Sequence, residues 1–231
     1  TPAWEMGYAD HIQRYRFAQA FIPRGALVLD AGCGSGYGAA HLADQGARQV
    51  IAVDISAEAL AVARPHFPRE AVVWLQDDCH TLEHAAAFAP FDAICCLENI
   101  EHLAHPKQFL RRAAQLLAPQ GLLVASSPNR ILTSRMYGTT GGGAPQNPHH
   151  HREYSAEEFR ALLEDSFRDV RLSYQCHATA TRVRMAVEPM LQALWSNPMV
   201  RLGRWLQRVL RGRAVPESPD ALLPPLHRLY L

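Results

Sequence analysis

The chain has 231 residues, is 48% apolar and carries a net charge of +1, which suits one α/β domain with an appendage rather than two full domains. Near-neutral charge excludes a global field that would draw nucleic acid. Five scattered cysteines without metal-type spacing point to a reducing compartment, and no leader or apolar run of transmembrane length is seen, so a cytoplasmic location is expected.

The elements follow a legible order. Residues 4–22 have helical character and end at Pro23. Residues 26–29 form a short apolar strand, followed by a glycine loop and a helix-like run to Gln45. Strands are then expected at 49–53, 71–75, 91–96 and 122–125, with a helix capped by Ser56 and ended by Pro65 and another containing 109–117. Strands alternating with helices predict a doubly wound, mainly parallel sheet, and continuous apolar strands agree because parallel strands are buried on both faces. Residues 127–154 break the rhythm with Gly141-Gly142-Gly143 and a triple histidine, the mark of a functional or disordered loop. A helix capped by Ser155 (156–163) and a strand at 170–174 follow, and the last fifty residues look helical. The expected division is an N-terminal helical segment (1–25), a main domain (26–176) with 127–154 as substrate loop, and a helical appendage (177–231).

The most informative motif is VLDAGCGSGYG, residues 28–38. Gly32, Gly34 and Gly36 allow backbone to approach a ligand where the first strand turns into its helix. The spacing is G-x-G-x-G rather than the G-x-G-x-x-G of dinucleotide binders, and Asp30 precedes it. A carboxylate there disfavours a pyrophosphate and suits a cationic ligand end. Asp54, at the end of the second strand, is placed to accept hydrogen bonds from two ribose hydroxyls.

These residues resemble the class I S-adenosylmethionine-dependent methyltransferases, over roughly residues 26–174. The resemblance implies a Rossmann-like fold and S-adenosyl-L-methionine as cofactor. It implies Asp30 and the glycine loop on the methionine portion, Asp54 on the ribose and Ile55 against the adenine. Gln76-Asp77-Asp78-Cys79 matches the family's third-strand end, with Asp78 receiving the adenine amino group and Cys79 beside it. The family usually has glycine where Asp77 stands, which leaves open which acid acts.

Directly after the fourth strand, Glu98, Glu101 and His102 stand at i, i+3 and i+4, one face of a helix at the ligand-binding edge of the sheet. Two carboxylates this close repel unless a cation or proton lies between them. Three readings stay open. Glu98, Glu101 and His102, with His150 from QNPHHHREY, hold a divalent metal such as Mg2+ that lowers the pKa of an acceptor hydroxyl. Alternatively, His102 or His150 acts as general base without a metal, or the acids merely favour a helix N-terminus. The E-x-x-E-H wording is similar to bacterial glycan- and lipopolysaccharide-associated, ubiquinone-pathway and RNA 3′-terminal 2′-O-methyltransferases. In the RNA group, two glutamates and two histidines bind the ion. In the glycan group, a hydrophobic residue usually stands at the positions of His149 and His151.

Between Arg182 and Arg213 seven arginines face the single acid Glu188, a local charge of +6 that leaves −5 elsewhere. Within 194–213, arginines recur at three- and four-residue spacing opposite an apolar side that includes Trp205. Such a helix packs on the domain or a second subunit, making a homodimer, or lies peripherally on the inner membrane surface, or touches RNA. The reading that results is an O-methyltransferase with its catalytic residues among Glu98, His102 and His150. The acceptor is a small molecule or saccharide of envelope or natural-product biosynthesis, and nucleic acid is not expected as a partner. RNA 3′-end methylation, a non-catalytic cofactor-binding subunit and a nicotinamide oxidoreductase are the rivals.

Overall fold

The structure, a computed structural model, describes residues 3–136, 144, 145 and 147–175. The expected C-terminal helices, the basic stretch 194–213 and the dimer and membrane contacts assigned to it lie outside the described residues. Residues 11–174 form one compact unit, which takes in residues 11–19 of the N-terminal helix α1 (Ala3–Gln19). The physical reason is burial: Tyr15, Ala18 and Ile22 pack into the core.

Five strands make a fully parallel sheet: β1 (Leu27–Ala31), β2 (Gln49–Asp54), β3 (Val72–Gln76), β4 (Phe91–Leu97) and β5 (Leu117–Ser126). Their spatial order is β3-β2-β1-β4-β5. The order reverses between β1 and β4, and the crevice beyond the carboxyl ends of those strands is where open α/β sheets take ligands. β5 begins five residues earlier than expected. A register shift opposite Phe91 and Ala93 accommodates Pro119-Gln120-Gly121, where a side chain on Gly121 would come within 2.8 Å of the Phe91 carbonyl.

The strand period of two divides the core into two layers. Val28, Val50, Ala52, Ala93 and Cys95 face α1, α2 (Tyr37–Asp44) and α3 (Ala57–His66), meeting Tyr15, Ala18, Leu42 and Leu60. Leu29, Ile51, Val53, Ile94 and Cys96 face the other way, toward Phe109, Leu110 and Ala113 of α4 (Pro106–Leu116). Leu162 and Leu163 of α6 (Ala156–Glu164) belong to that second layer. Fully burying a side chain such as Phe109 or Leu110 stabilises the fold by about 1.5–3 kcal/mol. Cys33, Cys79, Cys95 and Cys96 are free buried thiols.

Three expectations change. Residues 98–102 do not open an α-helix, since Glu98 adopts φ 52° and only Ile100–His102 form a single 3-10 turn before α4 starts at Pro106. Residues 170–175 form no strand. Part of the expected loop is ordered as α5 (Arg130–Met136), and Asn129 bridges Tyr154 in parallel pairing. No helix among the described residues is long and apolar enough to cross a membrane.

Candidate active site

Two groups of residues meet at the carboxyl edge of the sheet. The first surrounds the glycine loop. Gly32, Gly34 and Gly36 all adopt positive φ. A side chain at Gly32 would lie 2.4 Å from Asn99, and one at Gly36 would lie 2.6 Å from Ala63 and Trp74. Gly34 differs, because its missing side chain points into open space with nothing within 4 Å. The loop is therefore packed on both shoulders and bare at its crest, as a surface for close approach of a ligand requires.

Asp54 braces this crest. One carboxylate oxygen accepts the Gly34 N–H at 2.8 Å and the other accepts the Ser56 N–H at 2.9 Å, leaving further lone pairs on each. Ile55 beside it is 68% exposed, an apolar surface without a protein partner large enough to cover it. Asp30 lies deeper than expected. It has no exposed surface, and the Tyr15 hydroxyl donates to its two oxygens at 3.0 and 3.2 Å. Burial raises its pKa to about 7, opposed by the Tyr15 hydrogen bond. Asp30 thus offers no exposed oxygen to the crevice.

The two acids after β3 have separate surroundings. Asp77 is buried and accepts from the N–H groups of Asp78, Glu83 and Ala85 at 3.0, 3.2 and 2.8 Å, which ties down the turn. Asp78 is half exposed, and only its Oδ1 is engaged, by the His80 N–H and ring at 2.8 and 2.7 Å. The backbone hydrogen bond from His80 helps hold its pKa below the usual carboxylate range. Cys79 is buried against the Asn99 amide at 3.6 Å, and burial pushes its thiol up to about 12, so it supports the wall as an unreactive group. Asn99 also donates to the Ala31 carbonyl at 3.2 Å and so ties β1 to the turn after β4. An exposed apolar face beside a ribose-placed acid, a bare glycine crest and a buried acid beneath it fit a nucleoside with a cationic amino-acid tail.

The second group is assembled from distant segments. Ligand atoms of Glu101, His102 and His150 all lie within 4.8 Å of one another, as a metal-holding group would require. Glu101 is 1% exposed, and its Oε2 has no hydrogen-bond partner among the described residues. Burial, then repulsion by Glu98, raises its pKa to about 8. The histidine segment is stapled to this turn by backbone: the N–H groups of His151 and Arg152 donate to the Glu101 carbonyl at 2.8 and 3.3 Å. His102 Nδ1 bonds the His149 carbonyl at 2.9 Å, and His150 Nδ1 bonds Glu153 Oε1 at 2.9 Å. Both rings therefore keep Nε2 as the acceptor nitrogen, and the rings meet edge-on with centroids 4.7 Å apart. The Asn147 amide lies 2.9 Å from His150 Nε2.

Glu98 stands apart from this group. Its Oε1 accepts from Ser126 Oγ at 2.7 Å and its Oε2 lies 3.2 Å from Arg14 Nη2. His149 and His151 serve through backbone atoms only: the carbonyl of one and the N–H of the other make the staple. Several residues that shape the site were not singled out from the sequence: Arg14, Tyr15, Asn99 and Ser126. Glu153 was legible only as half of the Glu153-Tyr154 pair that marks His150, just before the capped helix, where Ser155 and Glu158 form a capping box.

A family described as a methyltransferase domain matches residues 7–166. A probable S-adenosylmethionine-dependent methyltransferase of Mycobacterium tuberculosis is 40% identical over 156 residues, 67% of this chain and 53% of that protein. A ubiquinone biosynthesis O-methyltransferase of Xanthomonas campestris is 35% identical over 147 residues, 61% of this chain and 60% of that one. The chain thus spans little more than half the length of these relatives. The crystal structure of an S-adenosylmethionine-dependent methyltransferase from Mesorhizobium loti superposes with a TM-score of 0.59 at 21% identity, covering 80% of this chain and 94% of that one. Glycine loop, strand order and family match agree: the chain belongs to the methyltransferase domain family, with the class I, S-adenosylmethionine-dependent fold.

Proposed function

We propose that this domain methylates a hydroxyl oxygen of a small molecule or saccharide acceptor, with a divalent cation held by Glu101, His102 and His150. The convergence of those three side chains, both imidazoles pinned through Nδ1, is the observation that carries the reading. Bound S-adenosylmethionine supplies an electrophilic sulfonium methyl. A divalent ion at the cluster would lower the pKa of an oxygen bound to it. The chain's residues then have distinct tasks. Asp54 and Ile55 would hold the nucleoside end, Asp78 would offer its free oxygen to the adenine, and the bare crest at Gly34 would let the tail lie close. Glu153 orients His150 as carboxylates orient metal-binding histidines. The enzyme's main contribution is alignment of acceptor oxygen and methyl group.

The test is transfer of a labelled methyl from S-adenosylmethionine to three acceptor sets: envelope saccharides, small hydroxylated metabolites, and RNA with a free 3′-terminal 2′-hydroxyl. The expected result is label on a member of the first two sets, lost with EDTA and restored by Mn2+ or Mg2+. Label on RNA alone would establish the RNA reading instead. Cofactor binding with no turnover on any set would make the domain a non-catalytic subunit.

A further inference from the structure

Arg14 and Ser126 between them occupy both oxygens of Glu98. Arg14 lies on α1 next to Tyr15, whose ring is locked over Gly38 and against Asp30, so its backbone is firmly placed. Its Nη2 sits 3.2 Å from Glu98 Oε2, and the two side chains are only 17% and 14% exposed. Ser126 Oγ donates to Glu98 Oε1 at 2.7 Å and accepts the Glu98 N–H at 3.0 Å. The backbone of Glu98 is held in the left-handed region at φ 52°, which a non-glycine residue keeps only when its surroundings enforce it. Arg14 Nη1 is buried without a partner among the described residues, and Glu98 holds the other end of the guanidinium.

We propose that Arg14 is a positioning residue that withholds Glu98 from the cation cluster and keeps that cluster at three protein donors. The inference rests on the cation reading above. A guanidinium and a divalent ion compete for the same carboxylate, and a guanidinium keeps its charge at any working pH. In surroundings this shielded, a charge-assisted pair is held more firmly than on an open surface. The consequence for chemistry is an open coordination position. Three donors leave room for an acceptor oxygen on the ion, whereas a fourth would close part of that room, the difference between catalytic and structural metal sites. Without Arg14, Glu98 becomes a shielded carboxylate with no cation of its own, close enough to Glu101 to repel it, and an ion at the cluster would be available as a replacement.

The test is Mn2+ titration calorimetry on the full chain for wild type, E98Q, R14M and R14M/E98Q. E98Q is expected to bind Mn2+ within about twofold of wild type, since Glu98 is not a ligand while Arg14 is present. R14M is expected to bind at least about tenfold more tightly, because affinity rises with the charge and number of ligands. The double variant is expected to return to the wild-type value. A gain that persists in R14M/E98Q overturns the proposal, because removal of a nearby positive charge would then explain it. A tenfold loss in E98Q overturns it as well, and that arm does not depend on R14M folding. Binding by R14M without binding by wild type upholds the role of Arg14 while removing the cation reading from the native chain. No binding by either removes both.

Discussion

The two halves of the crevice are built differently. The cofactor half is local: Asp30, the glycine loop and Asp54 lie within 25 residues, and backbone N–H groups of the loop and of Ser56 make its key bonds. The half proposed to take the acceptor joins Arg14, the turn at 98–102, Ser126 and the segment 147–153, with sequence separations up to about the length of the domain. A local half keeps its shape while its two strands stay in place, whereas an assembled half depends on each staple, so a substitution in one half should leave ligand binding in the other unchanged.

The largest expected effect tests whether the glycine loop is one unit. Gly38→Ala would place a methyl 1.9 Å from the Tyr15 ring carbon, displacing the buried tyrosine. A loss of about 3 kcal/mol and a fall in Tm of about 10 °C are expected by calorimetry. Gly34→Ala meets no protein atom, so its strain at φ 52° should cost about 1–2 kcal/mol. Binding of S-adenosylhomocysteine, measured by titration calorimetry, should nevertheless be lost in that variant. Equal loss of stability in both would erase the distinction between shoulder and crest.

Next comes Asp30. Its pKa is raised by burial to about 7, above the unfolded value of about 3.9, so the folded state binds the extra proton between these values. Stability conferred on the fold is then full below about pH 4 and declines as pH rises through about 7. Asp30→Asn should therefore be more stable than wild type at pH 8, by a few kcal/mol on the order-of-magnitude scale of such shifts, and no more stable at pH 4. Thermal melts across that range check it. The same variant should bind S-adenosylhomocysteine more weakly at pH 8, since the field on the cationic tail is gone.

In the acceptor half, Glu153→Gln should weaken Mn2+ binding by about 10–100-fold by loosening His150, with S-adenosylhomocysteine affinity unchanged. The smallest effect is expected from Ser155→Ala, which removes the cap of α6 and costs about 1 kcal/mol, or about 3 °C in Tm. Methyl transfer should fall while cofactor binding holds, because the cap lies directly after the histidine segment. A matching loss of cofactor binding in either variant would mean that the halves are one structural unit.

Legibility in the sequence followed the same division. β1, the glycine loop, β2 and Asp54 could be read from residue types and spacing because their geometry is local. The acids after β3 were visible, but their separate roles were not, since Asp77 is distinguished from Asp78 only by burial and three backbone donors. Reading Glu98, Glu101 and His102 as one helical face failed for a specific reason. Helical spacing assumes helical backbone, and Glu98 takes a left-handed conformation that its contacts with Arg14 and Ser126 support. The expected strand at 170–174 had the apolar residues for pairing but no pairing partner among the described residues, which periodicity cannot reveal.

The sequence by itself determined the doubly wound parallel sheet and the bare glycine crest at its carboxyl edge, because alternating apolar runs and a glycine turn leave few other packings. Only the tertiary structure decided that Tyr15 covers Asp30, that Arg14 holds Glu98, that His102 bonds the His149 carbonyl 47 positions along the chain, and that its ring meets that of His150. Those pairings depend on where separate segments come to rest on the sheet. Their energies come from shielding charges that no local pattern of residues can place together.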